Sequence, residues 1–105
     1  MASSTRKLTI GVIGCGHWGP NHIRVFSELE RTRVTACCDL SQARLDRISQ
    51  RFPGIDTSTD YKTILDDDRI DAVVVATPTA THAAIVADAL RAGKNVLVEK
   101  PLCLT

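Results

Sequence analysis

Apolar positions along this chain change their spacing in alternation. Leu8–Gly14, "LTIGVIG", is a β-rich apolar run that ends on glycine, the pattern of a strand buried on both faces. "HWGPNHIRVFSELE" then takes helical spacing, with Ile23, Phe26 and Glu30 marking its faces. Pro20 fits a helix only in its first turn, which places the start near His17. A second strand runs Arg33–Asp39 and closes on an acid. Ser41 is a good N-cap for "QARLDRISQRF", where Leu45, Ile48 and Phe52 recur at helical spacing until Pro53-Gly54 stops them. A short strand over Ile55–Ser58 and a short helix after Asp60 follow. Ile70–Pro78, "IDAVVVATP", reads as a buried strand, "THAAIVADALRAGK" as an Ala-rich helix stopped at Gly93, and "NVLVEKP" as a fifth strand.

Strand and helix alternate throughout, so the crossovers are right-handed and the sheet is parallel. The expected class is α/β, a doubly wound parallel sheet of five strands in the order 3-2-1-4-5 that stops before a sixth. Residues 1–105 form one domain, with 1–7 as a flexible N-terminal tail.

Composition narrows the partners. With 24% charged residues and a net charge of +1, nothing electrostatic favours nucleic acid or an anionic membrane. The longest apolar run, around "DAVVVATP", falls far short of the ~20 residues that span a bilayer. "MASSTRKLT" is polar and lacks the apolar middle of a signal peptide, so a cytoplasmic location is expected. The four cysteines form no C-x-x-C pair and no histidine sits at ligand spacing from them, so reduced thiols and no metal are expected. Asp66-Asp67-Asp68 reads as a solvated acidic turn.

Candidate chemistry gathers where strands end. Gly14-Cys15-Gly16-His17-Trp18-Gly19 matches G-x-G-x-x-G, following a strand and opening a helix, and Asp39 stands at the end of the next strand. Gly14 permits the tight turn, Gly16 lets a pyrophosphate approach bare backbone, and Gly19 lets the helix pack on the strand. His17 and Trp18 complete the loop. Asp39, with Leu40 beside it, is placed to accept both ribose hydroxyls of an adenosine. A 2′-phosphate there would meet like charge, which favours NAD over NADP, while Arg44 on the following helix is within reach of such a phosphate. This is the Rossmann arrangement, although the same loop and acid also serve methyltransferases that bind S-adenosylmethionine. Two further strand ends, "ATPTATH" (Ala76–His82) and "EKP" (Glu99–Pro101), share the edge of the sheet with the glycine loop.

From Leu8 onward the chain resembles the N-terminal domain of the glucose–fructose oxidoreductase, inositol dehydrogenase and rhizopine-catabolism family, Gfo/Idh/MocA. "IGVIGCGHWG", "CCDLS", "IDAVVVATPTATH" and "ALRAGKNVLVEKPL" occur in that family's order and spacing, which disfavours the methyltransferase. The resemblance implies an NAD(P)-dependent oxidoreductase that moves a hydride to or from a sugar, cyclitol or nucleotide-sugar carbon. It implies that Thr77 and Pro78 line the cofactor, that His82 faces the same cleft, and that Glu99 binds a nicotinamide-ribose hydroxyl. Lys100 is implied to contact that ribose and the substrate hydroxyl; a cation there favours a developing alkoxide. "WGPN", Trp18–Asn21, is similar to members acting on nucleotide-linked sugars.

Family members are much longer. Their second domain supplies most substrate contacts and an Asp-x-x-x-His pair, and it is absent here, so the chain alone is expected to be inactive. A non-catalytic dinucleotide sensor and another two-domain Rossmann reductase, of the dihydrodipicolinate or biliverdin reductase kind, are the alternatives. A homo-oligomer is expected, since "NVLV" is an uncovered edge.

Overall fold

The alternating segments close into a single parallel sheet. A computed structural model describes residues 8–14, 19–28, 31–77 and 79–98. The strands are β1 (Leu8–Ile13), β2 (Thr32–Cys38), β3 (Asp56–Ser58), β4 (Ala72–Val75) and β5 (Asn95–Val98). The helices are α1 (Gly19–Glu28), α2 (Gln42–Arg51), α3 (Lys62–Leu65) and α4 (Thr79–Arg91). The order β3-β2-β1-β4-β5, with every pairing parallel, is the doubly wound arrangement expected. The expected tail, residues 1–7, lies outside the described residues.

Each face of the sheet carries its own core. Ile10, Val12, Val34, Cys37 and Val74 pack with Ile23 of α1 and with Leu45 and Ile48 of α2. Ile13, Cys38, Val73 and Val75 pack on the other face with Ile64 and Leu65 of α3 and with Ile85 and Ala89 of α4. Adjacent residues pointing to opposite cores is the period-2 geometry of a strand buried on both sides. Gly11 has a specific reason: a Cβ there would stand 2.6 Å from Ile64 Cγ2, so its bareness lets α3 close on the sheet.

Some boundaries shift. Ile70 and Asp71 precede β4 instead of joining it. Asp71 turns its carboxylate onto the Thr9 N–H (2.8 Å), and its own N–H donates to the Thr9 carbonyl (2.8 Å). At the other end β4 stops at Val75, and α4 begins at Thr79, earlier than the apolar pattern marks. Ser41 caps α2 as expected, accepting from the Arg44 N–H at 3.3 Å. Gly93 ends α4 with φ +79°, a left-handed conformation that glycine adopts without penalty.

The cysteines differ from expectation. Cys37, fully buried in β2, is disulfide-bonded. Sequence spacing does not bound distance between segments that a parallel sheet brings side by side, so the missing C-x-x-C was no guide. Cys38 keeps its thiol, which burial first and then Asp39 and Asp60 push up to about 11.

Candidate functional site at the carboxyl edge of the sheet

Parallel strands end on one edge, and three of those ends touch. The Gly14 N–H donates to the Cys38 carbonyl at 2.8 Å, tying the end of β1 to the end of β2. Gly14 sits at φ +90°, and a Cβ on it would lie 2.8 Å from Thr77 Cγ2 and 2.9 Å from both the Ala76 carbonyl carbon and the Thr77 nitrogen. Only glycine allows that approach. The edge is extended by Ala76 donating to the Ile13 carbonyl (2.9 Å) and Asp39 donating to the Ser58 carbonyl (3.2 Å).

Asp39 follows β2 and is 7% exposed. Its Oδ1 accepts the Ser41 N–H at 2.7 Å, while Arg44 Nη1 stands 3.7 Å from Oδ2. Ser41 therefore does more than cap α2: its N–H orients the acid while its hydroxyl holds the Arg44 N–H. The sequence reading missed that second role, although an acid followed two residues later by serine is the spacing of an Asx turn. Leu40, next to the acid, is 88% exposed.

Thr77, after β4, carries the other informative atom. Its Oγ1 is buried and has no hydrogen-bond partner among the described residues. An unsatisfied buried hydroxyl costs roughly 1–3 kcal/mol, so a water or a polar group of a ligand would be held there. Bare backbone at Gly14, a carboxylate at Asp39 and an orphaned hydroxyl at Thr77 together fit a dinucleotide laid across the edge.

The structure thus brings Gly14, Asp39, Leu40, Arg44 and Thr77 to one edge. Gly19 opens α1, and the backbone of His82 lies in the first turn of α4. Gly16, His17, Trp18, Pro78, Glu99 and Lys100 lie outside the described residues. A cavity of about 350 Å³ opens elsewhere, under α3 and beside β3, lined in part by Asp56, Thr57, Ser58, Thr63 and Asp67. No expected site residue lines it, and the strand-end chemistry outweighs its volume. Among the described residues no three metal-ligating side chains converge. Asp67 of the acidic turn is committed to Arg69, whose side chain grips both carboxylate oxygens at 3.0 and 2.9 Å.

The opposite edge holds a residue that the pattern did not signal. Lys94 is 7% exposed, and its ammonium donates to the carbonyls of Asp67 (2.7 Å) and Ile70 (2.8 Å), fastening the start of β5 to the turn before β4. Its role is structural.

Residues 8–105 match the sequence profile of GFO_IDH_MocA, described as an oxidoreductase family with an NAD-binding Rossmann fold. Inositol 2-dehydrogenase 2 of Saccharopolyspora erythraea is 39% identical over 93% of this chain and 29% of its own length. The alpha-N-acetylgalactosaminidase of Shewanella oneidensis is 34% identical over 100% of this chain and 25% of its own. Among solved structures, KijD10, a 3-ketoreductase from Actinomadura kijaniata in complex with NADP and TDP-benzene, superposes with a TM-score of 0.83. It is 37% identical, over 92% of this chain and 30% of that one. The chain thus spans between a quarter and a third of the length of these proteins.

Proposed function

The chain belongs to the Gfo/Idh/MocA oxidoreductase family, as its NAD(P)-binding Rossmann domain, and from that premise we propose the activity of the parent protein. It transfers a hydride between a nicotinamide cofactor and a hydroxyl or carbonyl carbon of a sugar, cyclitol or nucleotide-sugar. The observation that carries the cofactor half is the buried Thr77 hydroxyl, which has no partner among the described residues, on a residue whose methyl and backbone close against Gly14 at the edge where β1, β2 and β4 end.

In this reading the glycine loop, Gly14 to Gly19 with His17 and Trp18, takes the pyrophosphate on bare backbone and helix N–H groups. Asp39 accepts the adenosine ribose hydroxyls, which favours NAD over NADP, and Leu40 offers an exposed apolar side chain beside it. Thr77 and Pro78 line the cofactor, with His82 in the same cleft and Glu99 on the nicotinamide ribose. The bound dinucleotide supplies the hydride acceptor or donor. Lys100 stabilises the substrate oxygen as its charge develops and takes part in moving its proton. A second domain supplies the substrate contacts, so residues 1–105 bind cofactor but do not turn over alone. A cytoplasmic location and self-association through the edge strand β5, where Leu97 is 52% exposed, belong to the same proposal.

The likeness to an alpha-N-acetylgalactosaminidase along the whole chain favours a second reading, a parent that cleaves a glycosidic bond of an N-acetylhexosamine.

Two measurements test the proposal. NADH fluorescence should be titratable by the folded chain. In the parent protein, Lys100→Ala should lower turnover on the accepted sugar by ~100-fold or more with little change in cofactor affinity. Absence of NADH binding would remove the proposal, and unchanged turnover would return Lys100 to an ordinary surface lysine. Release of free N-acetylgalactosamine from a glycoside, without net oxidation, would select the second reading.

A further inference from the structure

We propose that the cavity under α3 is a second binding site, separate from the dinucleotide edge, and that it takes a small primary amine in its ammonium form. The cavity exists because α3 is short. On that face α4 lies over β4 and β5, whereas only the single turn Lys62–Leu65 lies toward β2. The space left beside the edge strand β3 is about 350 Å³, at the lower end of the range for small-molecule pockets. Part of its lining is apolar. Ala36, Ile64 and Ile70 supply it, and each isoleucine is 2% exposed.

The polar part of the lining offers acceptors. Ser58 Oγ donates its hydrogen to the Asp60 carbonyl at 3.2 Å and accepts the Asp60 N–H at 3.0 Å. Thr63 Oγ1 donates to the same carbonyl at 2.8 Å. Each hydroxyl has thus used its one hydrogen within the fold and keeps a lone pair for a ligand. Asp56, exposed at the start of β3, makes no hydrogen bond or ion pair with its carboxylate among the described residues and only adds to the field around Arg69. Asp67 is different, since Arg69 grips both of its oxygens at 3.0 and 2.9 Å, which leaves Asp56 as the open charge. Residues 55–69 carry five aspartates against Lys62 and Arg69, a net of −3 in a chain whose net charge is +1. Such a field draws a cation to the mouth and turns an anion away. An ammonium has three hydrogens to donate and no lone pair, the complement of acceptors whose own hydrogens are engaged. A short alkyl chain behind it meets Ala36, Ile64 and Ile70, a contact that a metal ion cannot use.

The experiment titrates the chain with butylammonium, butanol and butyrate, whose carbon chains are of equal length and whose charges differ, and follows backbone amides by NMR. Butylammonium should shift the amides of Asp56, Ser58, Thr63 and Ile64 saturably, butanol weakly and butyrate not at all. Asp56→Asn, nearly isosteric, should weaken butylammonium by about three- to tenfold, the range for an exposed charge-assisted hydrogen bond. Thr63→Val keeps the shape, removes one acceptor and should weaken it as well; it decides in place of Asp56→Asn if that variant does not fold. Asp46→Asn, on α2 across the sheet, is the control for surface charge and should leave the titration unchanged. Equal shifts with butyrate, no saturable shift at these residues, unaltered affinity in Asp56→Asn, or an equal loss from Asp46→Asn overturns the proposal. The dinucleotide reading stands or falls separately, since none of its residues lines the cavity.

Discussion

A methyl group added to Gly14 would stand 2.8 Å from Cγ2 of Thr77 and 2.9 Å from the backbone on either side of the Ala76–Thr77 peptide bond. The turn after β1 and the end of β4 are therefore in contact through an absent side chain. Gly14→Ala should fail twice, because φ +90° is unfavourable for any L residue and the new atom meets backbone that cannot swing away. A loss of about 1–3 kcal/mol in urea unfolding is expected, together with loss of NADH binding. A variant of unchanged stability would mean that the two strand ends are not packed as described.

Thr77 makes a prediction of opposite sign for stability and binding. Thr77→Val keeps the shape and removes the buried hydroxyl, which has no partner among the described residues. The free protein should be unchanged or up to about 1 kcal/mol more stable, while NADH binding weakens by about two- to tenfold. Destabilisation of the free protein would show that the hydroxyl is already satisfied without a ligand.

Lys94 should matter for folding and not for cofactor. Lys94→Met keeps most of the aliphatic stem but takes the ammonium away from the Ile70 carbonyl and from the Asp67 carbonyl, which keeps only the Ile70 N–H at 3.1 Å. Stability should fall by about 2–3 kcal/mol in urea melts at constant slope. NADH affinity under native conditions should stay the same, since Lys94 lies at the far edge of the sheet. A surface role would predict no change in the urea midpoint.

The Asp67–Arg69 pair sets an acid-side dependence. Hydrogen bonds from the Arg69 side chain, then from its backbone N–H, hold the Asp67 carboxyl down at about 2, below the ordinary 3.8. The folded state thus binds its proton less readily than the unfolded chain, so stability from this group is fully present above the ordinary value. It is lost as pH falls through about 2. Arg69→Ala should bring the Asp67 titration, followed by carboxyl-carbon NMR, back toward the ordinary value. The stability difference between variant and parent should then fade at the acid end. An Asp67 that titrates normally in the unsubstituted protein would remove the pair as a contributor.

Local spacing along the chain carries the element order and the strand order. Alternating strand and helix periods imply right-handed crossovers, which leave few strand orders open, and the sheet takes the one expected. Parallel strands finish on one edge, so a glycine after β1, an acid after β2 and a threonine after β4 had to share it. Tertiary structure decided which of those residues touch and what their polar atoms do. Asp71 meets Thr9 across 62 positions, and Lys94 reaches Ile70 across 24, separations at which no periodicity is informative. The buried Thr77 hydroxyl, without a partner among the described residues, is likewise invisible to spacing. Burial makes a polar group find a partner or go without, and the partner is chosen by where the folded chain passes, not by what stands next to it in sequence.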